Sequence, residues 1–290
     1  MSAVGSCWLC GSTDLALAWR GDLPPTLGPG AFRITDAAYG RTADVYDCRA
    51  CGFRQARGVD RVLALYEAMD DPDYEATRAP RRLQAERLLK VLRRHRRDGR
   101  LLDIGAGSGI LVEAARAMGF DAEGIEPSRA LQAEAVARGL PVHRGVLPHP
   151  GAAGRYDAAT VVDVIEHVPD PVGLMRDVRE VLAPGGLCLV VTPDLGSLAA
   201  RLLGRRWWHY RIAHIGYFDR ATLARALLAA GFEVIWAGRP TWQLPAGYLA
   251  RRALTYLPGG TRVPVPGWLD RVALPLNLFD SLLFLARRRA

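Results

Sequence analysis

Lysine is almost absent from this 290-residue chain: Lys90 stands alone, and the basic set of 38 is otherwise arginine. The formal net charge is +8, but alanine, glycine and arginine are abundant throughout, a compositional bias that gives nucleic-acid binding only weak support from charge. No run is apolar enough to cross a membrane, because the most hydrophobic stretch, WLDRVALPLNLFDSLLFLA, is broken by Asp270, Arg271, Pro275 and Asp280. The first residues, MSAVGSCWLCG, lack the basic segment and apolar core of a secretory signal, so a cytoplasmic protein is expected. There is no internal repeat and no low-complexity tract. With half of the residues hydrophobic, the chain can build one full-sized core and a small appendage.

Cysteines are also few, five in all, but four of them are ordered. Cys7 and Cys10 in CWLCG, and Cys48 and Cys51 in CRACG, form two C-x-x-C-G knuckles. Two such knuckles supply four thiolates for one tetrahedral zinc ion, with the glycines letting backbone amides turn toward sulfur. A redox pair or two disulfides are the competing uses, and a reducing compartment and the doubled knuckle speak against both. Four cysteines fill the coordination sphere, so the expected role is structural. The intervening FRITDAAYGRTADVYDC reads as short strands and turns of a zinc ribbon, a segment too short to be held by its own core. Cys188, in GGLCLVVT, fits a packed strand.

Beyond the ribbon, VDRVLALYEAMDDPDYEAT predicts a helix and a turn. RAPRRLQAERLLKVLRRHRRDGR predicts an amphipathic helix with Leu83, Leu88, Leu89 and Leu92 on one side and arginines on a solvated or RNA-contacting face. From residue 100 strands (near 100–104, 121–126, 141–144, 156–162, 186–192 and 232–237) alternate with helices (near 109–118, 129–138, 171–182 and 220–230). That alternation predicts an α/β fold, a doubly wound and mostly parallel sheet with helices on both faces. Segments 195–219 and 241–280 interrupt it, and SLLFLARR is expected to return antiparallel at the sheet edge. The division is a ribbon over 1–70 and a second domain over 71–290.

The first strand of that second domain runs into LLDIGAGSGI, where Gly105, Gly107 and Gly109 alternate after Asp103. Such a turn lies nearest the ligand of a doubly wound sheet, and the following helix N-terminus favours a negative group. One strand later Glu126 can accept two hydrogen bonds from a ribose diol. A dinucleotide fingerprint would put glycine where Ile110 stands, whereas Gly109 comes one residue early, and Asp103 suits a cationic amino group better than a pyrophosphate. The spacing therefore favours an adenosine-containing donor over NAD, with an ordinary strand-to-helix turn as the bland alternative.

YDAATVVDVIEHVPDP followed by LMRDVREVLAPGGLCLVVTPD resembles the fourth strand, next helix and fifth strand of class I S-adenosylmethionine-dependent methyltransferases, including the EHV and PGG segments. The resemblance covers about 75–240, continues through WWHYRIAHIGYFDR, and implies a Rossmann-like seven-stranded sheet. It implies that Asp103, Gly105, Ala106 and Gly107 bind the methionine part of the donor, that Glu126 with Pro127 holds the ribose, and that Val146 and Leu147 lie beside the adenine. Asp163 is assigned to the same cofactor site. The aspartate that often follows the glycine at position 145 is missing. The first part, with CWLCG, FRITDAAYG, CRACG and LYEAMDDPDYEAT, resembles the zinc module of methyltransferases in sugar, polysaccharide and natural-product pathways, without the large C-terminal domain of sugar C-methyltransferases.

A hydroxyl acceptor must lose a proton, which makes His167 and His214 the candidate catalytic residues near neutral pH, each with a structural role as its alternative. His209 reads as a surface residue. Trp207, Trp208 and Tyr210 read as lid packing or as an acceptor wall. In 241–280, Leu249, Leu254 and Tyr256 with Arg251 and Arg252 suit a capping helix, a dimer contact or a peripheral membrane helix. The expected reaction is methyl transfer to a small-molecule, sugar or lipid-linked acceptor, most simply on oxygen. An RNA methyltransferase is the alternative, disfavoured by DVIEHV in place of an Asn/Asp-Pro-Pro-aromatic motif, and a non-catalytic module is the third.

Overall fold

Three short antiparallel strands, β1 (Leu15–Trp19), β2 (Asp44–Cys48) and β3 (Arg54–Arg57), follow one knuckle, which turns ahead of β1, and carry the other at the β2–β3 turn. The computed structural model describes residues 5–23, 27–28, 32–34, 40–59, 61–71, 73–152, 154–254 and 263–289; most of the ITDAAYG segment, and Tyr256, lie outside them. Helix α1 (Val62–Glu67) and a 3-10 turn at Glu75–Thr77 lead into α2 (Arg78–Arg93), which buries Ala85, Leu88, Leu89 and Leu92. Leu83, expected on that apolar side, is exposed; Gln84 and Ala85 take the buried positions, so the packed face is rotated from the one the leucines suggested.

The central strand β4 (Gly99–Ile104) is buried along its second half on both faces, as a strand between two helix layers must be. It is followed by α3 (Ile110–Ala117), β5 (Phe120–Glu126), α4 (Arg129–Ala137), β6 (Val142–Arg144), β7 (Tyr156–Val162), α5 (Pro171–Val181) and β8 (Leu182–Pro193). Side chains start these helices: Ser128 caps α4 through Leu131 N, and Asp170 caps α5 through Gly173 N with Pro171 in the first turn. The 195–219 segment contributes α6 (Leu198–Leu203) and β9 (Gly216–Tyr217), and an Asp219–Thr222 capping box opens α7 (Arg220–Ala229). After β10 (Phe232–Gly238), β11 (Trp242–Pro245) pairs antiparallel with β12 (Ala273–Leu276) around α8 (Ala246–Leu254). Arg251 and Asp270 form an ion pair across this excursion, and Trp242 packs against the core beneath α2.

The last strand, β13 (Ser281–Arg288), runs antiparallel as expected but does not sit at the edge. It fills the place between β10 and β8, in the seven-stranded order β10-β13-β8-β7-β4-β5-β6. Ser281 to Ala286 are consecutively buried, and an apolar run with no polar face can be satisfied only inside a sheet covered on both sides. The N-terminal strands are not self-contained either: β9 pairs with β3 as the fourth strand of their sheet, and Phe53 packs at 4.9 Å against Phe218, next after β9.

Candidate active site

Among the described residues the four knuckle cysteines bring their sulfurs within 4.8 Å of one another. Cys7 Sγ lies 3.6 Å from Cys51 Sγ, and Cys10 Sγ 3.6 Å from Cys48 Sγ. These separations are far beyond a disulfide bond of about 2.05 Å. They match the edges of a tetrahedron built on Zn–S bonds of about 2.3 Å.

One half of the candidate site is assembled from the carboxyl ends of β4 and β5. Gly105 N and Ala106 N both donate to Ile125 O, at 2.9 and 3.0 Å, which folds the turn back onto β5. Gly107 has φ +54°, and a Cβ there would stand 2.7 Å from the Tyr74 hydroxyl, so the position needs glycine on both counts. Glu126, 5% exposed, closes the turn: Gly107 N donates to one carboxylate oxygen and Ser128 N to the other, each at 2.7 Å. Burial pushes its carboxyl up to about 7 against the pull of those two amides. Asp103 is buried at the end of β4 and accepts a 2.6 Å bond from Thr160 Oγ1. It too is raised to about 7, by burial and by the charge of Glu126, with Thr160 opposing. A carboxylate has about four lone-pair directions, so both acids retain acceptor capacity for a cationic or hydroxyl-bearing donor.

The remaining residues expected at this site are distributed unevenly. Pro127 is half-buried beside Glu126, Leu147 turns into the core, and Val146 keeps an exposed apolar surface. Asp163 stands at the end of β7 with φ +52°, open to solvent yet walled by protein. Burial in that cleft raises it to about 6, while His209, Arg81 and Arg211 pull it down and Asp280 pushes it up.

The other half of the candidate site is made of side chains from distant segments. His167 ends a 3-10 turn, Ile165–His167, directly after β7. Its Nδ1 lies 2.8 Å from Ala213 O and within hydrogen-bond distance of the Tyr66 hydroxyl. Burial holds the ring neutral, lowering it to about 4. Glu166, 1% exposed, accepts from Thr192 Oγ1 at 2.9 Å, and its carboxyl lies well above the usual carboxylate range because of burial and then the nearby Asp163. The His214 ring meets His167 edge-on at 4.7 Å and stacks on His209 at 5.7 Å; burial drives it well below the usual imidazole range. Glu166, His167 and His214 thus bring one ligand atom each within 4.8 Å, close enough to share a proton or a cation.

The aromatic insertion is mainly wall. Trp207 is fully buried and Tyr210 nearly so, with the Tyr210 hydroxyl accepting from Arg54 at 2.7 Å, which makes both packing residues. Trp208 Nε1 donates to Asp280 at 2.8 Å and His209 Nε2 lies 3.3 Å from the same oxygen, so His209 is a half-buried partner and not a free surface residue. Sequence reasoning missed Tyr66, Tyr74, Glu166 and Asp280 as parts of the site. The two tyrosines stood in view in LYEAMDDPDYEAT, and Glu166 in the EH pair, but nothing local told which of them point into the cleft.

Residues 74–236 match the family described as methyltransferase domain. Two curated relatives, both named ubiquinone biosynthesis O-methyltransferase, come from Cereibacter sphaeroides, 34% identical over 117 residues, and from a Caulobacter species, 32% identical over 139 residues. Those matches cover 37% and 41% of this chain and 47% and 54% of the relatives, so the chain spans about half the length of each. Among solved structures, a chain of the complex between the Haloferax volcanii Trm112 methyltransferase activator and its methyltransferase has 16% identity and a TM-score of 0.53, covering 81% of this chain and 100% of that one.

Proposed function

Because this chain belongs to the family of S-adenosylmethionine-dependent methyltransferase domains, we propose that it acts on a hydroxyl of a small-molecule acceptor, an O-methylation in sugar or natural-product biosynthesis. The observation that carries this reading is the pairing of a glycine turn clamped by Glu126 with a half-buried, neutral His167 beyond the end of the neighbouring sheet strand. S-adenosylmethionine, when bound, supplies an electrophilic methyl carbon on a sulfonium. Asp103 would attract the donor's amino group and Glu126 the ribose hydroxyls, while the backbone of Gly105 to Gly107 leaves room for the methionine part. His167 would take the hydroxyl proton as the new C–O bond forms and the C–S bond breaks, leaving S-adenosylhomocysteine as leaving group. The names of the curated relatives support oxygen as the accepting atom. The thiolates of Cys7, Cys10, Cys48 and Cys51 would hold one structural zinc ion, supported by the tetrahedral spacing of their sulfurs.

The test is methyl incorporation. Purified protein and donor labelled in the methyl group are incubated with cell extract separated into RNA, protein, lipid-linked glycan and small-molecule fractions. Label in the small-molecule or glycan fraction, lost in Glu126→Ala and released as a methyl ether, is the expected result. Label sensitive to ribonuclease overturns it in favour of RNA, and label on nitrogen or carbon removes the role given to His167.

A further inference from the structure

Segment 66–74 touches both halves of the site. Tyr66 reaches His167, Met69 O accepts from Ser128 Oγ at 2.9 Å beside the Glu126 clamp, and Tyr74 covers Gly107. The N-terminal region therefore supplies more than a metal knuckle.

We propose that Tyr66 is a positioning residue for methyl transfer, holding His167 Nδ1 between its phenol oxygen and the Ala213 carbonyl so that Nε2 is the basic nitrogen of the ring. The proposal rests on the reading of His167 as proton acceptor. A carbonyl oxygen only accepts, so the 2.8 Å contact with Ala213 O requires hydrogen on Nδ1. That places the lone pair on Nε2, which stands 3.8 Å from Glu166 Oε1. The Tyr66 oxygen lies against the same Nδ1 and acts as a second acceptor for that hydrogen. The phenol is itself fixed: the rings of Tyr66 and His167 meet edge-on at 5.3 Å, and Phe32, 1% exposed, packs edge-on against Tyr66 at 5.0 Å. Two acceptors from separate segments, one in α1 and one in the insertion, therefore fix both the tautomer and the plane of the imidazole, the arrangement by which a base is kept in its competent form. Without the phenol the ring keeps one partner and can turn about χ2.

The experiment uses the full chain and Tyr66→Phe, which keeps the aromatic body and removes only the oxygen. Two-dimensional NMR of protein labelled with 15N in histidine reads the His167 tautomer, assigned by its loss in His167→Asn. The expected spectrum is a single Nδ1–H form in the parent and a mixed or broadened ring signal in Tyr66→Phe. Methyl transfer to the labelled fraction should fall about tenfold in kcat, with acceptor KM and donor affinity within about twofold. An unchanged tautomer in Tyr66→Phe, an Nε2–H form in the parent, an unchanged kcat, or a loss confined to acceptor KM each overturns the proposal, the last because it makes Tyr66 a substrate contact. If His167→Asn keeps full activity while the tautomer still depends on Tyr66, the reading of His167 as base has failed and the hydrogen-bond arrangement has not.

Discussion

Around the glycine turn the candidate site is held mainly by backbone amides, and around His167 mainly by side chains. Around Gly105 to Gly107 the bonds run from amides to Ile125 O and to the Glu126 carboxylate, within two adjacent strands. Around His167, Nδ1 donates to Ala213 O and lies against the Tyr66 hydroxyl, Thr192 donates to the neighbouring Glu166, and Trp208 donates to Asp280 in the wall behind. The first kind of scaffold suits a ligand common to a whole fold. The second can be rebuilt by changing a few side chains without disturbing the sheet, which is where acceptor choice belongs.

The comparison makes separable predictions, the largest concerning rate. His167→Asn should lower kcat by about 10² to 10⁴-fold while leaving donor affinity, read by calorimetry, unchanged. A matched loss of donor binding would break the division. Gly107→Val should do the reverse and weaken the donor by about two orders of magnitude, because a branched residue at φ +54° is strained and meets Tyr74. Glu126→Gln should weaken the donor by about tenfold, roughly 1.4 kcal/mol, with little change in the acceptor step.

The smallest effect is a pH dependence. Burial raises Glu126 and Asp103 to about 7, and under the proposed function their ionised forms attract the donor, so affinity should fall as the pH drops from 8 to 6 and fall less steeply in Glu126→Gln. The sign for stability is opposite. A carboxyl whose folded value exceeds its unfolded value of about 4 favours the protonated folded state, so the unliganded chain should lose stability as the pH rises from about 4 to 7. Thermal unfolding with and without donor checks both slopes.

The ribbon sharpens the contrast from outside. Cys48→Ser should lose zinc by metal analysis and lower the unfolding temperature. Since β3 pairs with β9 and Phe53 packs on Phe218, the damage should reach the acceptor wall, raising acceptor KM more than donor Kd.

The division also explains what could be read from sequence. The knuckle cysteines, the glycine turn and Glu126 act through short spacing and a strand-to-helix turn, so residue type and position reveal them together. The placement of His167 beyond the carboxyl end of β7 was legible because it lies five residues after Val162. Tyr66 joins His167 across 101 residues and Asp280 joins His209 across 71, and no spacing rule carries that far. Leu83 failed for a different reason: leucine content marks an amphipathic helix, but which face is buried depends on what packs there, and Gln84 won the position. Strand β13 was recognised as antiparallel yet set at the edge, although its unbroken apolar run was already a sign of two covered faces.

The pairing of β3 with β9 also orders events in time. Both cysteine knuckles emerge within the first 51 residues and can close on a metal ion early in synthesis. The strand that completes their sheet begins at Gly216, about 160 residues after its partner, so closing that loop carries a large entropic cost and high contact order. Until then β3 presents an open edge on a growing chain, and an early-bound zinc ion would be the device that keeps the first fifty residues from pairing with something else.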